Sequence, residues 1–441
     1  MTTYLQTLTH FVKGLIGAGI FSMGIAFKNG GLLFATIFTA VMGLLVLHCV
    51  TLVVRIIEYQ EWQREQSKKQ ITSINRTYAD IAAEVFEDGP PLAKFLAKYI
   101  KPFINILMCF MNLGFCCVYI VFIGNNMQKA LEFFDIEVSL NVVMLIFIIP
   151  IWLSSLITNL KWLAPVSTVA NAILFTAIGI TLYYISVDLQ DFKSFSFIAS
   201  IDTIPLFLSV ALYSFDCMSF ALPLRNEMDN PRKFIGLFGV MNIGFLIVIP
   251  MVVTLGFLAY LKYGDQIEAT VLLNLPENDI LVQVLLILVC AQVMFTYAIQ
   301  LYVPVTIVWP MVAEKFGPFK YELLILLVFR TTLVLLTLAI AEAIPFIDLV
   351  ISLIGAICSS LLTLFLPPLF DIIMSQKKTE QNPLTLFLPP LFDIIMSQKK
   401  TEQNPLGKMF ILVKNVLIVA FAVVIFATGV FTSIRDIINS F

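Results

Sequence analysis

Lys13-Gly14-Leu15-Ile16-Gly17-Ala18-Gly19-Ile20 interrupts the first apolar stretch of the chain with three glycines in six residues. Glycine weakens a helix, and inside a bilayer a weakened helix survives only where its freed backbone groups face protein or a cavity. Two readings follow from these residues. A broken transmembrane helix offers the amides of its second half to an anionic group and the carbonyls of its first half to a cation, which is how transporters build substrate sites. Alternatively, Gly14 and Ala18 form a small-xxx-small pair through which a neighbouring helix packs closely. Both readings put the stretch inside a membrane-spanning helix.

Composition places the rest of the chain in the same setting. Hydrophobic residues make up 59% and charged residues only 13% of 441 positions, with a mean hydropathy of +0.95, more apolar than a soluble core requires. Runs of about 20 apolar residues, each matching the hydrocarbon thickness, fall near 8-30, 32-54, 102-126, 140-158, 164-186, 205-224, 236-261, 280-303, 322-341, 346-368 and 409-432. The expected fold is therefore an all-α integral membrane protein with eleven transmembrane helices in one transmembrane domain, 1-441.

Lysines and arginines between the spans set the expected orientation, because short basic loops stay in the cytoplasm. The segment 55-101 carries eight of them and reads as a cytoplasmic basic loop. Lys161, then Arg225, Arg232 and Lys233, then Lys315 and Lys320, then the lysines from Lys377 to Lys408 fall on that same side. Lys28, Lys129, Lys193, Lys262 and Arg435 fall on the other. The N-terminus is expected in the cytoplasm and the C-terminus outside or in a lumen. The start Met1-Thr2-Thr3-Tyr4 has no basic n-region, so the first run reads as a true span and not a cleaved signal. The seven cysteines all fall in apolar runs, which argues against an external disulfide framework. The sequon Asn75-Arg76-Thr77 falls in the basic loop and is expected to stay unglycosylated.

Residues 362-383, LTLFLPPLFDIIMSQKKTEQNP, are repeated without change at 384-405. Identity at every position speaks for a recent duplication or a gene-model error and against a solenoid. The first copy completes span 10. The second has only about a dozen apolar residues around Pro389-Pro390, too few to cross, and is expected not to span.

Charge inside a bilayer is costly, so ionisable residues within the spans are functional candidates. His48 titrates near neutral pH and suits a coupling proton; the competing reading is a neutral imidazole bonded to a backbone carbonyl. Asp216, mid-way along span 6, suits a proton or a substrate ammonium; the competing reading is a structural partner for a buried polar group. Arg330, Lys414 and Lys13 read as snorkelling side chains, and Glu342 and Asp348 as solvated. Walker A, H-E-x-x-H and G-x-S-x-G patterns are absent and the chain has only two histidines, so an enzyme, a metal site and a cofactor are not expected. A net charge of -2 without a clustered basic surface gives no nucleic-acid partner.

Thr9-His10-Phe11-Val12-Lys13-Gly14, Gly17-Ala18-Gly19, Ala26-Phe27-Lys28-Asn29-Gly30-Gly31 and His48-Cys49 together resemble the opening of proton-coupled amino acid transporters of the amino acid/auxin permease superfamily. Leu113-Gly114-Phe115-Cys116-Cys117-Val118-Tyr119, Asn230-Pro231-Arg232-Lys233-Phe234, Leu273-Asn274-Leu275-Pro276, Phe295-Thr296-Tyr297-Ala298, Asp348-Leu349-Val350-Ile351-Ser352-Leu353, Ser359-Ser360 and Pro367-Pro368 extend the resemblance along nearly the whole chain. It implies a LeuT-like arrangement: two inverted five-helix repeats plus one helix, with helices 1 and 6 broken around a midplane substrate site.

It further implies symport of a small neutral amino acid with a proton across the plasma membrane or a lysosomal or endosomal membrane. The proton is the coupling ion. On this pattern the substrate lies against Gly14, Leu15, Ile16, Gly17, Ala18 and Gly19 of helix 1 and Ser214, Phe215, Asp216 and Cys217 of helix 6, with His48 and Asp216 coupling the proton. Leu15 and Ala18 stand where relatives commonly carry Asn and Thr, and Cys217 and Ser219 replace glycines. Recognition of a substrate carboxylate then falls on backbone amides near Gly17 and Gly19. These changes also motivate an alternative, an amino-acid-sensing receptor or scaffold with little transport.

Overall fold

The structure is a computed structural model and describes residues 2–66, 76–156, 163–377 and 405–440. Among these the chain is helical, with no strand. The first span is two pieces, α1 (Tyr4–Leu15) and, after a 3-10 turn at Ala18–Ser22, α2 (Met23–Gly30); the two halves are bent by 43°. Next come α3 (Leu32–Gln66), α4 (Tyr78–Glu87), α5 (Pro91–Glu132), α6 (Leu140–Ser155) and α7 (Leu163–Ile185). A second divided span is formed by α8 (Ile204–Ser214) and α9 (Met218–Glu227). α10 (Val240–Tyr263), α11 (Ile280–Phe316) and α12 (Glu322–Ala343) follow. A composite helix then runs from α13 (Ile347–Ile354) through a π-helical stretch, Gly355–Phe365, into α14 (Leu366–Lys377), and α15 (Pro405–Asn439) ends the chain.

Eight helices among the described residues are long and apolar enough to cross a membrane, and the bent α1–α2 pair makes a ninth. Leu140–Ser155 and Ala170–Ile185, at two further expected positions, are shorter apolar helices. Eleven crossings therefore require that these two also span.

Contacts between connecting segments sort the bundle into two ends. At one end Thr2 pairs through its backbone with the segment after α9, donating to the Glu227 carbonyl at 2.8 Å and accepting from the Asp229 amide at 3.0 Å. Arg225 of α9 grips Glu61 of α3 through two hydrogen bonds, 3.0 and 2.9 Å. Arg76 joins Gln60 and Glu84, each at 2.9 Å. At the other end Lys28 donates to the Asp265 carbonyl at 2.7 Å, and Lys129 to the carbonyls of Leu273 and Leu275. Arg435, near the end of α15, lies within electrostatic reach of Asp202 at that second end. The two chain ends thus sit at opposite ends of the bundle, as an odd number of crossings demands.

Several elements differ from the sequence expectations. Much of 55-101 is helix: α3 continues to Gln66 and α5 begins at Pro91. Apolar run length measures the match to hydrocarbon, about 30 Å, whereas α5 at 42 residues is about 63 Å long and projects beyond it. Arg330 does not snorkel; it is 3% exposed and donates to the Ser155 carbonyl at 2.7 Å, holding the end of α6. Glu342 and Asp348 are half-buried rather than fully solvated. Cys217 lies outside the helices, in the interruption between α8 and α9. Asn75, Lys161 and the second copy up to residue 404 lie outside the described residues.

Lipid is as apolar as leucine, so these helices are held by close packing more than by burial from water. Phe11 of α1 shows it, with ring centroids 5.9, 5.8 and 6.1 Å from Phe220, Phe234 and Phe245. The tightest approach is at Gly355, where a Cβ would stand 2.0 Å from the Ser209 carbonyl oxygen. Glycine at that position lets the π-helical segment lie directly on α8.

Candidate functional site

The first span leaves the α-helical path where its glycines cluster. Ile16 N–H still bonds the Val12 carbonyl at 3.0 Å, and the next backbone bond across the gap runs from Ile20 N–H to the Gly17 carbonyl at 3.3 Å. Among the described residues, the amides of Gly17, Ala18 and Gly19 donate to no backbone carbonyl, and the carbonyls of Gly14, Leu15 and Ile16 accept from no backbone amide. Backbone groups freed this way need partners. Donors at the start of one half-helix and acceptors at the end of the other match the two ends of an amino acid zwitterion.

The three glycines are not equivalent. A Cβ on Gly14 would stand 2.5 Å from the Phe220 ring, so Gly14 serves close packing of α1 on α9. On Gly19 it would meet the Tyr213 ring at 2.9 Å and Ser214 Oγ at 3.2 Å. On Gly17 it would meet only the Tyr119 hydroxyl, at 3.9 Å. Gly17 therefore borders open space beneath Tyr119 of α5, and its backbone is extended (φ -85°, ψ -170°), which any residue adopts. Leu15, Ile16 and Ala18 are buried, at 3, 1 and 5% exposure, so their side chains belong to the packed core.

The break in the other divided span faces this one. α8 ends at Ser214, and Phe215, Asp216 and Cys217 form the interruption before α9. Ser214 Oγ is 3.3 Å from the Gly19 carbonyl oxygen and 3.0 Å from that of Val210. Tyr213 meets Phe115 edge-on, with centroids 4.9 Å apart. Phe215 is fully buried and stacks near Phe245, and Cys217 is fully buried too.

Asp216 holds the second break in shape. Its Oδ1 accepts the Met218 amide at 3.1 Å, capping the first turn of α9. Its Oδ2 accepts Ser359 Oγ at 2.6 Å, and Thr363 Oγ1 approaches Oδ1 at 3.5 Å. Both hydroxyls come from the π-helical segment, so one carboxylate ties α9 to the composite helix. That structural partnership was one of the two sequence readings of Asp216. The interruption is present with Cys217 and Ser219 in place, and the Asp216 carboxylate takes up the Met218 amide at its far side.

His48 is on α3, with Nε2 at 2.9 Å from Lys414 Nζ of α15. Sequence reading treated Lys414 as a snorkelling side chain and missed this pairing. It also missed Tyr213, Ser359 and Thr363 as neighbours of the site. Ser359 and Thr363 show a weak signal in retrospect: two hydroxyls four residues apart on an apolar helix, which marks one polar face. Among the described residues no three His, Cys, Asp or Glu side chains converge as metal ligands would.

Comparison with known proteins identifies a family for this chain. The family model described as "Transmembrane amino acid transporter protein" matches residues 1–383. The chain is 33% identical over 377 residues to the proton-coupled amino acid transporter-like protein pathetic of Drosophila melanogaster, covering 85% of this chain and 77% of that protein. It is 24% identical over 441 residues to the probable amino acid transporter skat-1 of Caenorhabditis elegans, covering 97% and 89%. Among solved structures, the inward-facing conformation of Mhp1 aligns with a TM-score of 0.48 at 12% identity, covering 96% of this chain and 90% of that one.

Proposed function

The chain belongs to the transmembrane amino acid transporter family, and on that premise we propose that it carries small neutral amino acids across a membrane together with a proton, by alternating access. The observation that carries the proposal is the pair of facing breaks, 16–17 and 215–217, joined through Ser214 and Gly19. In this reading the substrate carboxylate takes the amides of Gly17, Ala18 and Gly19, and its ammonium takes the carbonyls at the end of α1. The close approach of the Tyr213 ring to Gly19, and of the Tyr119 hydroxyl to Gly17, supports a small side chain in this reading.

Eleven crossings, with the first ten forming two inverted five-helix repeats, belong to the same proposal, as does a cytoplasmic N-terminus in a plasma or endolysosomal membrane. The basic segments at the Thr2 and Arg225 end support that orientation. His48 is the proton-coupling group. Asp216 contributes as well: protonation would weaken the acceptor that Met218, Ser359 and Thr363 share and so loosen the sixth-span break. The receptor or scaffold reading gains no support, since the family and both relatives are described as transporters.

Uptake of labelled alanine, glycine and proline into cells or proteoliposomes, measured at two external pH values, tests the proposal. Uptake should rise as external pH falls and should vanish in Gly17→Val. Uptake that is flat with pH for all three would reject proton coupling, and absence of flux for a broad amino acid panel would reject the substrate class.

A further inference from the structure

Lys414 sits on α15, beyond residues 1–383 that the family model matches, yet its Nζ is 2.9 Å from Nε2 of His48. The placement of α15 fixes this contact. Asn415, the next residue, donates to Asp371 Oδ2 of α14 at 2.7 Å, and Ser433 Oγ meets Ser352 Oγ of α13 at 2.9 Å. α15 is thereby tied to the composite helix at two points, Asn415 and Ser433, and Lys414 faces α3.

An ammonium has three donors and no acceptor, so at this distance it donates to Nε2 only while the imidazole is neutral. When His48 takes a proton, two cationic donors face each other and repel. Further charge near His48 comes from Arg55, two turns along α3, and Cys49 is the neighbouring titratable group. Arg55 is also basic and adds to the opposition.

We propose that Lys414 is the positioning residue for His48: it sets the pH at which His48 accepts its proton, and protonation of His48 releases the α3–α15 contact. The composite helix that anchors α15 is also the one that holds Asp216 through Ser359 and Thr363. Release at His48 is therefore delivered to the element that supports the sixth-span break. This rests on the reading of His48 as the proton-coupling group.

The test uses the full chain in lipid nanodiscs with 15N-labelled histidine and His10→Asn, which leaves His48 as the one imidazole to titrate by NMR. Lys414→Met and Lys414→Gln, which remove the charge, should each raise the midpoint of His48 by about one pH unit or more, a tenfold change in proton affinity. Lys414→Arg should leave it near the parent value. A midpoint unmoved by either neutral variant overturns the proposal. Labelled-alanine uptake by His48→Gln separates the two readings. Should its pH dependence survive while the neutral variants still shift the His48 midpoint, the coupling role fails and the Lys414 pairing stands.

Discussion

Ser359 Oγ donates to Asp216 Oδ2 at 2.6 Å, so the π-helical segment of one span fastens the break of another. Removing a donor from a buried carboxylate leaves part of its desolvation uncompensated, about 1–3 kcal/mol. Ser359→Ala should lower the melting temperature of the purified protein by several degrees and reduce uptake. A variant with an unchanged melting curve would show that this bond does not stabilise the fold.

Gly17→Ala and Gly19→Ala should separate loss of uptake from loss of stability. Gly17→Ala meets only a hydroxyl at 3.9 Å, so the protein should fold and melt as before while losing much of its amino acid uptake. Gly19→Ala pushes into the Tyr213 ring at 2.9 Å and should cost stability as well as uptake, about 1–3 kcal/mol. Thermal melting beside uptake for each variant checks the contrast. Equal melting losses in both would remove the distinction.

Arg225 and Glu61 form a bidentate pair in which the arginine is 3% and the carboxylate 44% exposed. Water reaches one partner, so the pair contributes about 1 kcal/mol rather than the larger amounts of a dry ion pair. Arg225→Lys loses the fork geometry and should lose most of that coupling. A double-mutant cycle with Glu61→Gln, read by denaturation in detergent, measures it; a coupling near zero would contradict the assignment.

Asp80 caps α4 with Thr77 and pairs with Lys101 at 2.7 Å. Burial pushes its carboxyl up, but hydrogen bonds from Lys101 and Thr77 outweigh burial and hold it below the usual carboxylate range. A folded pKa below the unfolded value, about 3.9, gives stability that is full above that value and fades as pH falls through the lower folded value. Melting temperature below about pH 4 should therefore fall less steeply in Asp80→Asn than in the parent. Parallel curves would mean that Asp80 contributes nothing to acid sensitivity.

Apolar runs disclosed where the spans are, because hydrocarbon thickness imposes their length, and the Gly14–Gly19 cluster disclosed the first break because its cause is local. The break at Phe215–Cys217 was harder to read. Two of the groups that hold its Asp216, Ser359 and Thr363, lie more than 140 positions away, and the local residues Cys217 and Ser219 argue against it. His48 and Lys414 are separated by 366 positions, so no periodicity or spacing connects them. The extensions of α3 and α5 were hidden for another reason: polar helical turns beyond the hydrocarbon have the same composition as a basic loop.

The backbone pairing of Thr2 with the segment after α9 has a consequence for synthesis. Thr2 emerges well before its partner Glu227, which lies 225 positions later. At translation rates of 5–20 residues per second the partner follows after about 10–45 s. For that interval the Thr2 backbone lacks these two bonds, and α1 must be inserted without the clasp that later fixes its entry. Closure of that end is thus a late event in biogenesis, and damage to the 227–229 segment should show first as slow maturation of newly made protein.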